Sequence, residues 1–212
     1  MQTYTHVVMT ALLNRKLKGA YPLSLAATLA VKQPIPPLNS AGLLLGSFAP
    51  DAPLTLLAIG CIVLDWQKRR SGAAKVEAEV AQSLTGHLFS HGFFHDWRVK
   101  LAHNLFHAPL LLLAYGWLGV QAWQRGHGWG ALLFWFAAAC GLHTLIDIPL
   151  HADDGPLILF PLDWSTRVHS PVSYWDPKHY GRQFAIFEHL LLLGMLGALV
   201  LNWWRPQGVT KG

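Results

Sequence analysis

Side chains that bind metal recur at four-residue steps where an apolar stretch ends, at His143, Asp147 and His151, and Asp153 and Asp154 follow directly. In a helix this spacing places side chains on one face, about 6 Å apart between Cβ atoms. Imidazole nitrogen and carboxylate oxygen are preferred ligands of Zn²⁺, and zinc sites use histidine pairs at this helical offset. The segment therefore predicts a metal site.

The surroundings of these side chains support the same interpretation. They end a run, Leu132 to Leu150, that is otherwise strongly apolar, and isolated charge in such surroundings is costly. A divalent cation would compensate that cost. The alternative is structural: Asp147 accepts a hydrogen bond from Thr144, and His143 is a satisfied core histidine.

The helices that position these residues are those of a membrane protein. The chain has 212 residues, of which 52% are hydrophobic and only 13% charged, and its mean hydropathy is +0.31. Runs long enough to cross a bilayer, about 20 residues, lie at Leu105 to Trp123, Trp129 to Leu150 and Phe184 to Trp204. We predict an all-α integral membrane helical bundle with about three full spans and shorter re-entrant or interfacial helices, folded as one domain over 1–212.

Shorter segments complete this picture. Val7 to Leu13 and Leu23 to Val31 are predicted as two short helices separated by a basic patch, and Leu54 to Leu64 is too short to span a bilayer alone. Ser71 to Ser83 is predicted as an exposed helix. Residues 157–183, rich in proline and aromatic residues, form a predicted loop that covers the site or anchors at the interface, and 205–212 are a tail.

Antiparallel neighbours bring distant segments to one membrane face. His103 and His107 precede one long run, His143 to Asp154 end the next, and Glu188 lies one turn into the last. Three carboxylates not needed as ligands, Asp153, Asp154 and Glu188, are candidates for a general base or for orienting an imidazole.

Charge indicates on which side that face lies. The face carries more basic residues than the opposite one, which by the positive-inside rule predicts that the site is cytoplasmic. The two sets are Arg98, Lys100, Arg167, Lys178 and Arg182 on the site side, and Arg125, Arg205 and Lys211 on the other. The net charge of +5 is scattered, so specific nucleic-acid binding is not indicated. Cys61 and Cys140, both in apolar runs, offer no disulfide framework.

A second series of histidines needs a separate interpretation. His87, His91 and His95 lie four residues apart, and the step continues to His103 and His107. On one unbroken helix each step rotates about 40° beyond a full turn, so the first and last cannot bind one ion. We predict site roles for His103 and His107, and interfacial or supporting roles for the other three.

Four motifs in this order resemble a known family: Thr5-His6, the glycine-containing helix ending in Pro50-Asp51, the paired histidines His103 and His107, and His143-x-x-x-Asp147. The chain resembles the inner-membrane metal-dependent hydrolases of the LexA-binding type, which are similar in ligand order to zinc-dependent phospholipase C and the single-strand-specific zinc nucleases. The usual paired-histidine motif is here one residue shorter and lacks its Arg and Ser. Which of the two histidines binds therefore stays open.

The resemblance implies an all-helical, membrane-bound hydrolase in a bacterial inner membrane. It implies two or three Zn²⁺ ions and a phosphoester or other amphiphilic, lipid-like substrate. The ligands that it implies are His6, Asp51, His103 or His107, His143, Asp147 and His151.

Two other classes of function stay open. One is a bis-histidine haem protein with axial ligands among His107, His143 and His189, although Asp147 beside His143 argues against it. The other is a non-catalytic membrane scaffold or regulator-binding protein, in which the polar groups only hold helices together. Metal analysis separates the scaffold from the hydrolase, and a Soret band identifies the haem protein.

Overall fold

The structure of the protein is a computed structural model, which describes residues 1–20, 35–70 and 83–204. In this part of the chain the regular structure is helical, and no strand forms beyond one isolated antiparallel bridge between Leu157 and Arg167. The all-α prediction is confirmed. The α-helices are α1 (Thr3–Ala20), α2 (Ser40–Phe48), α3 (Ala52–Arg70), α4 (Leu84–His87), α5 (Phe93–His95), α6 (Trp97–Asn104), α7 (Pro109–Gln124), α8 (Trp129–Asp147) and α9 (Gly181–Trp204).

Within the described residues, two helices are long and apolar enough to cross a membrane, in the windows Trp129–Leu150 and Gly181–Leu201. The number rises to four if the bent pairs α2 with α3 and α6 with α7 each form one broken span, with bends of 45° and 47°. The predicted count of about three falls between these limits. The outer face of α9 supports a lipid-facing position, because Leu190 and Leu193 are each 65% exposed.

Several predicted boundaries were wrong. α1 runs from Thr3 to Ala20 without a break, so the basic patch at residues 15–18 does not end a helix. The run 105–123 is not one helix, because Pro109 starts α7 after a turn. The segment 54–64 belongs to the longer helix α3. The predicted helices at 23–31 and 71–83 and the tail 205–212 lie outside the described residues, apart from Ser83, which caps α4.

Glycines allow α2 to lie against the backbone of α8. A Cβ atom on Gly42 would be 2.3 Å from the carbonyl oxygen of Leu132, and one on Gly46 would be 2.2 Å from that of Phe136. Such distances are far below van der Waals contact, so only glycine fits. Because of this close approach, the end of α2 lies beside His143 on α8.

The 157–183 loop ends earlier than predicted, since α9 begins at Gly181. A 3₁₀ turn, Pro177–His179, precedes that helix, and Tyr180 between them has a positive φ of 63°. Leu157 and Phe160 are buried, where they pack against Ala108, whereas Leu162 is 81% exposed. The loop thus has an inner part fixed to the start of α7 and an exposed apolar tip.

Candidate metal centre

Four side chains from three regions of the chain converge on one point. They are Asp51, between α2 and α3; His107, just before α7; and His143 and Asp147, in the last turns of α8. One ligand atom of each lies within 4.8 Å of those of the other three, and only Asp51 is not fully buried. The predicted convergence of distant segments on one site is confirmed for these four residues, which could hold a metal ion.

Both histidines are held in the tautomer that a metal needs. The Nδ1 atom of His143 lies 2.8 Å from the carbonyl oxygen of Ser47, and Nδ1 of His107 lies 3.0 Å from that of His103. A carbonyl oxygen only accepts, so each Nδ1 carries the proton and donates it. The lone pair is then on Nε2, which in both rings is the atom facing the carboxylates.

In each carboxylate, one oxygen accepts a hydrogen bond from a neighbouring residue and the other oxygen faces the two histidines. Thr3 Oγ1 donates to Asp51 Oδ2 at 2.5 Å, which leaves Oδ1 facing His143 Nε2 at 3.5 Å and His107 Nε2 at 3.7 Å. Asp147 Oδ2 likewise faces His143 Nε2 at 3.1 Å and His107 Nε2 at 3.8 Å.

The other oxygen of Asp147 has two partners. The amino group of Met1 donates to Oδ1 at 2.7 Å, and His6 Nε2 lies 2.9 Å from the same atom. His6 also stacks on the His143 ring, with centroids 3.6 Å apart. His6 therefore supports the group from α1 and does not belong to the set of four converging ligand atoms.

His151 lies beside the group, but not on the helix that was expected to carry it. The α8 helix ends at Asp147, a 3₁₀ turn with Pro149 follows, and the backbone of His151 is extended. Its Nε2 nevertheless lies 3.9 Å from Asp147 Oδ2. The ring is oriented from the other side by Asp154, whose Oδ1 lies 3.0 Å from Nδ1.

Asp154 is in turn fixed by the loop, because Trp175 Nε1 donates to its Oδ2 at 2.8 Å. Burial opposes ionisation of this carboxyl, but the hydrogen bonds from His151 and Trp175 and the charge of His151 outweigh burial and lower its pKa. Asp154 is therefore a carboxylate that orients an imidazole, one of the two roles that the sequence suggested for it.

The remaining predicted residues have different positions. Asp153 is exposed and lines the same cavity as the ligands, whereas Glu188 is buried and accepts from the backbone N–H of Gln2 at 2.7 Å. Glu188 thus caps the start of α1, where a negative charge also stabilises the helix N-terminus. Since Glu188 is not among the described residues that line the cavity, its position favours a structural role over that of general base.

His103 and Thr144 complete the comparison with the sequence. His103 is buried next to His107, with ring centroids 4.5 Å apart, but lies outside the group of four. Thr144 donates to the carbonyl oxygen of His107 at 3.0 Å and not to Asp147, so the alternative in which Thr144 satisfies Asp147 was wrong. Thr3 and the two backbone carbonyls that hold the histidines were not foreseen, because no side-chain pattern marks them.

The geometry does not suit a haem. The His107 and His143 rings lie 5.1 Å apart, with both aspartates between 3.1 and 3.8 Å from their Nε2 atoms, so a porphyrin does not fit between them. His189 has both ring nitrogens near partners, Nδ1 at 2.7 Å from the carbonyl oxygen of Ala185 and Nε2 at 3.1 Å from the Tyr4 hydroxyl.

A cavity of about 500 Å³ opens onto the group. Asp51, His107, Asp147 and His151 line its polar part, and the loop contributes Tyr174 and Trp175 among others. Burial raises the pKa of the Tyr174 hydroxyl, and the nearby carboxylates add to this effect. A molecule in the cavity would thus meet the metal ligands, an oriented imidazole and a neutral phenol.

No family model, curated protein or solved structure matches this chain.

Proposed function

We propose that this protein is a membrane-bound, metal-dependent hydrolase that uses Zn²⁺ and acts on a phosphoester or other lipid-like substrate. One observation carries the proposal: two imidazole Nε2 atoms and two carboxylate oxygens converge within 4.8 Å, and backbone carbonyls hold both imidazoles in the ligand tautomer. Nitrogen and oxygen donors in this combination suit zinc. The motifs that resemble the hydrolase family contain these same four residues.

The site combines binding and chemistry in one cavity. A bound divalent cation would lower the pKa of a water molecule and neutralise charge that develops on a phosphoryl oxygen. His151 lines the cavity, its Nε2 lies 3.9 Å from Asp147 Oδ2 and its Nδ1 is held by Asp154, so the ring is positioned to accept a proton from the attacking water. Asp154 keeps the ring oriented, with support from Trp175.

The setting of the cavity favours an amphiphilic substrate. Its ligand end is polar, whereas Leu54, Phe89 and Phe94 form an apolar wall. Asp147 lies in one helix that could cross a membrane, and Leu54 and His103 lie in helices of the two bent pairs. We infer that the site lies at the lipid boundary and, from the distribution of Lys and Arg, on the cytoplasmic side.

Metal content tests the proposal directly. Full-length protein purified in detergent should contain at least one zinc per chain, and Asp147→Asn, which keeps the shape of the side chain, should lose it. Asp163→Asn is the matched control, because Asp163 lies in the exposed part of the loop away from the group. A wild-type protein without stoichiometric metal would contradict the proposal.

Activity provides the second readout. Wild-type protein should hydrolyse a phosphodiester or a phospholipid in a chelator-sensitive manner, and His151→Ala should lower kcat by about 10²–10⁴-fold while zinc is retained. His127→Ala is the matched control, since His127 lies in the turn between α7 and α8. Stoichiometric zinc without hydrolysis of any phosphoester or lipid tested would favour the scaffold instead.

A further inference from the structure

His103 is buried beside the candidate metal ligands, but it is not one of them. Neither of its ring nitrogens has a hydrogen-bond partner among the described residues. The ring is held between Phe93 and His107, with centroid distances of 4.8 and 4.5 Å. Burying a polar group without a hydrogen bond is energetically unfavourable, so this arrangement indicates a partner from outside the chain.

The partner has access to His103 through the cavity that opens onto the metal group. His103 lines this cavity together with Asp51, His107 and Asp147. A neutral imidazole offers one donor and one acceptor, and His103 is not one of the four converging ligands. A molecule bound at the metal therefore lies in a cavity in which His103 still has hydrogen bonds to make.

The other side of the cavity is apolar and leads to the surface. Leu54 and Phe94 pack against the buried cluster of Leu88, Phe93 and Val99, and Phe89 is 47% exposed. A hydrocarbon chain on this wall would thus run from the polar end of the cavity to the outside of the protein. The helix that carries Leu54 presents further apolar side chains outward, including Leu56, which is 69% exposed.

A fixed positive charge lies at the edge of this wall. The Arg167 guanidinium stacks on the rings of Phe93 and Phe94, at 4.9 and 5.6 Å from their centroids, and donates to the carbonyl oxygen of Gly155. Arg167 is therefore held against Phe93, whose ring also contacts His103. Such a charge favours an anionic headgroup over a neutral one.

We propose that His103 hydrogen-bonds the anionic headgroup of an amphiphilic substrate whose hydrocarbon chain lies on the wall formed by Leu54, Phe89 and Phe94. The inference rests on the proposed function and adds to it a headgroup contact and a chain site. His103 is then a substrate-binding residue and not a metal ligand. Until a headgroup binds, its imidazole has no hydrogen-bond partner in the described part of the chain.

Two phosphates that share a headgroup test both halves of the proposal. Zinc-loaded full-length protein in detergent is titrated with inorganic phosphate and with hexyl phosphate, and binding is followed by ³¹P nuclear magnetic resonance. Hexyl phosphate should bind about ten-fold more tightly, because part of its chain is buried on the wall. His103→Phe should weaken both ligands by about ten-fold or more, as expected for loss of one hydrogen bond to a charged group.

Further variants separate the headgroup contact from the chain contact. His103→Asn restores a donor and an acceptor and should recover part of the affinity that His103→Phe loses. Phe89→Ser should reduce the advantage of hexyl phosphate and leave inorganic phosphate unchanged. Leu162→Ser, at a more exposed apolar position in the loop, is the control and should change neither ligand.

The outcomes distinguish this inference from the proposed function. Absence of zinc from the wild-type protein overturns the proposed function. If zinc is bound but His103→Phe binds both phosphates like the wild type, or the wild type binds neither, only the present inference is overturned. Loss of zinc in His103→Phe would also overturn it, because His103 would then be a metal ligand.

Discussion

The protein contains two groups of histidines with the same four-residue spacing but different surroundings. At the candidate metal centre, His103 and His107 lie on or next to α6, and His143 lies on α8 beside them. In the other group, which we call the histidine ladder, His87, His91 and His95 stack with centroid distances of 5.1 and 4.7 Å. Spacing alone therefore does not separate a candidate ligand from an ordinary histidine.

The surroundings of each ring make the difference. His107 and His143 are buried, have Nδ1 held by a backbone carbonyl and face two carboxylates. The ladder rings are exposed, and none of the described carboxylates makes an ion pair with them. A metal centre needs fixed tautomers and negative charge, and only the first group has both.

Removing one histidine from each group should give the largest contrast. His143→Ala should lower zinc affinity by more than the ~10–100-fold that loss of an outer-shell partner costs, because a ligand itself is lost. His91→Ala should leave zinc affinity unchanged. Competition with a zinc chelator measures both. Equal losses in the two variants would show that the ladder contributes to the bound ion.

A methyl group added to one glycine in each region should give the next largest difference. In Gly46→Ala the new Cβ would be 2.2 Å from the carbonyl oxygen of Phe136, so α2 must move away from α8 and take the Ser47 carbonyl with it. Overpacking of this kind costs about 1–3 kcal/mol of unfolding free energy. Zinc affinity should fall as well, because the carbonyl that fixes His143 is displaced.

Gly92→Ala is the matched control in the ladder region. Its nearest neighbours would be 3.5 Å from the new Cβ, which is ordinary contact. Thermal unfolding and zinc titration of the two variants check the expectation. If Gly46→Ala kept wild-type stability and zinc affinity, the close approach of α2 to α8 would have no role in the site.

The centre could be predicted from the sequence to the extent that it depends on helical periodicity. The spacing of His143 and Asp147 placed both on one face, and antiparallel runs brought His107 to the same end of the bundle. The choice between His103 and His107 depends on the turn between α6 and α7, where Asn104 bonds to Lys100 and Leu157. Such a turn is set by tertiary contacts and leaves no periodic signal.

Other features could not be predicted from the sequence, for related reasons. The groups that hold the two histidine rings are backbone carbonyls, which every residue has, so no residue type marks them. Glu188 resembled a free carboxylate, but its partner is the Gln2 N–H, 186 residues away in the chain. The expected end of a helix at Arg15 to Lys18 ignored that long basic side chains are compatible with a helix.

Thr3 tests whether support from outside the ligand set matters. Thr3→Val keeps the shape of the side chain but removes the hydroxyl that donates to Asp51 Oδ2 at 2.5 Å. Since outer-shell partners orient ligands, zinc affinity should fall by about 10-fold and by no more than about 100-fold. Thr85→Val, next to the ladder, is the control and should leave zinc affinity unchanged. An unaltered affinity in Thr3→Val would mean that Asp51 is oriented by other contacts.

The smallest effect on zinc affinity is expected from a change at Asp65, which anchors the segment of the histidine ladder. Asp65 accepts hydrogen bonds from the backbone N–H groups of Leu84 and Thr85 and from the Thr85 hydroxyl, and so fixes the start of α4. Asp65→Asn weakens these bonds, because a neutral amide is a poorer acceptor than a carboxylate. Amide hydrogen exchange over residues 84–95 should become faster, while zinc affinity stays within about two-fold of the wild type. Faster exchange accompanied by loss of zinc would show that the two groups of histidines are coupled, which their different surroundings argue against.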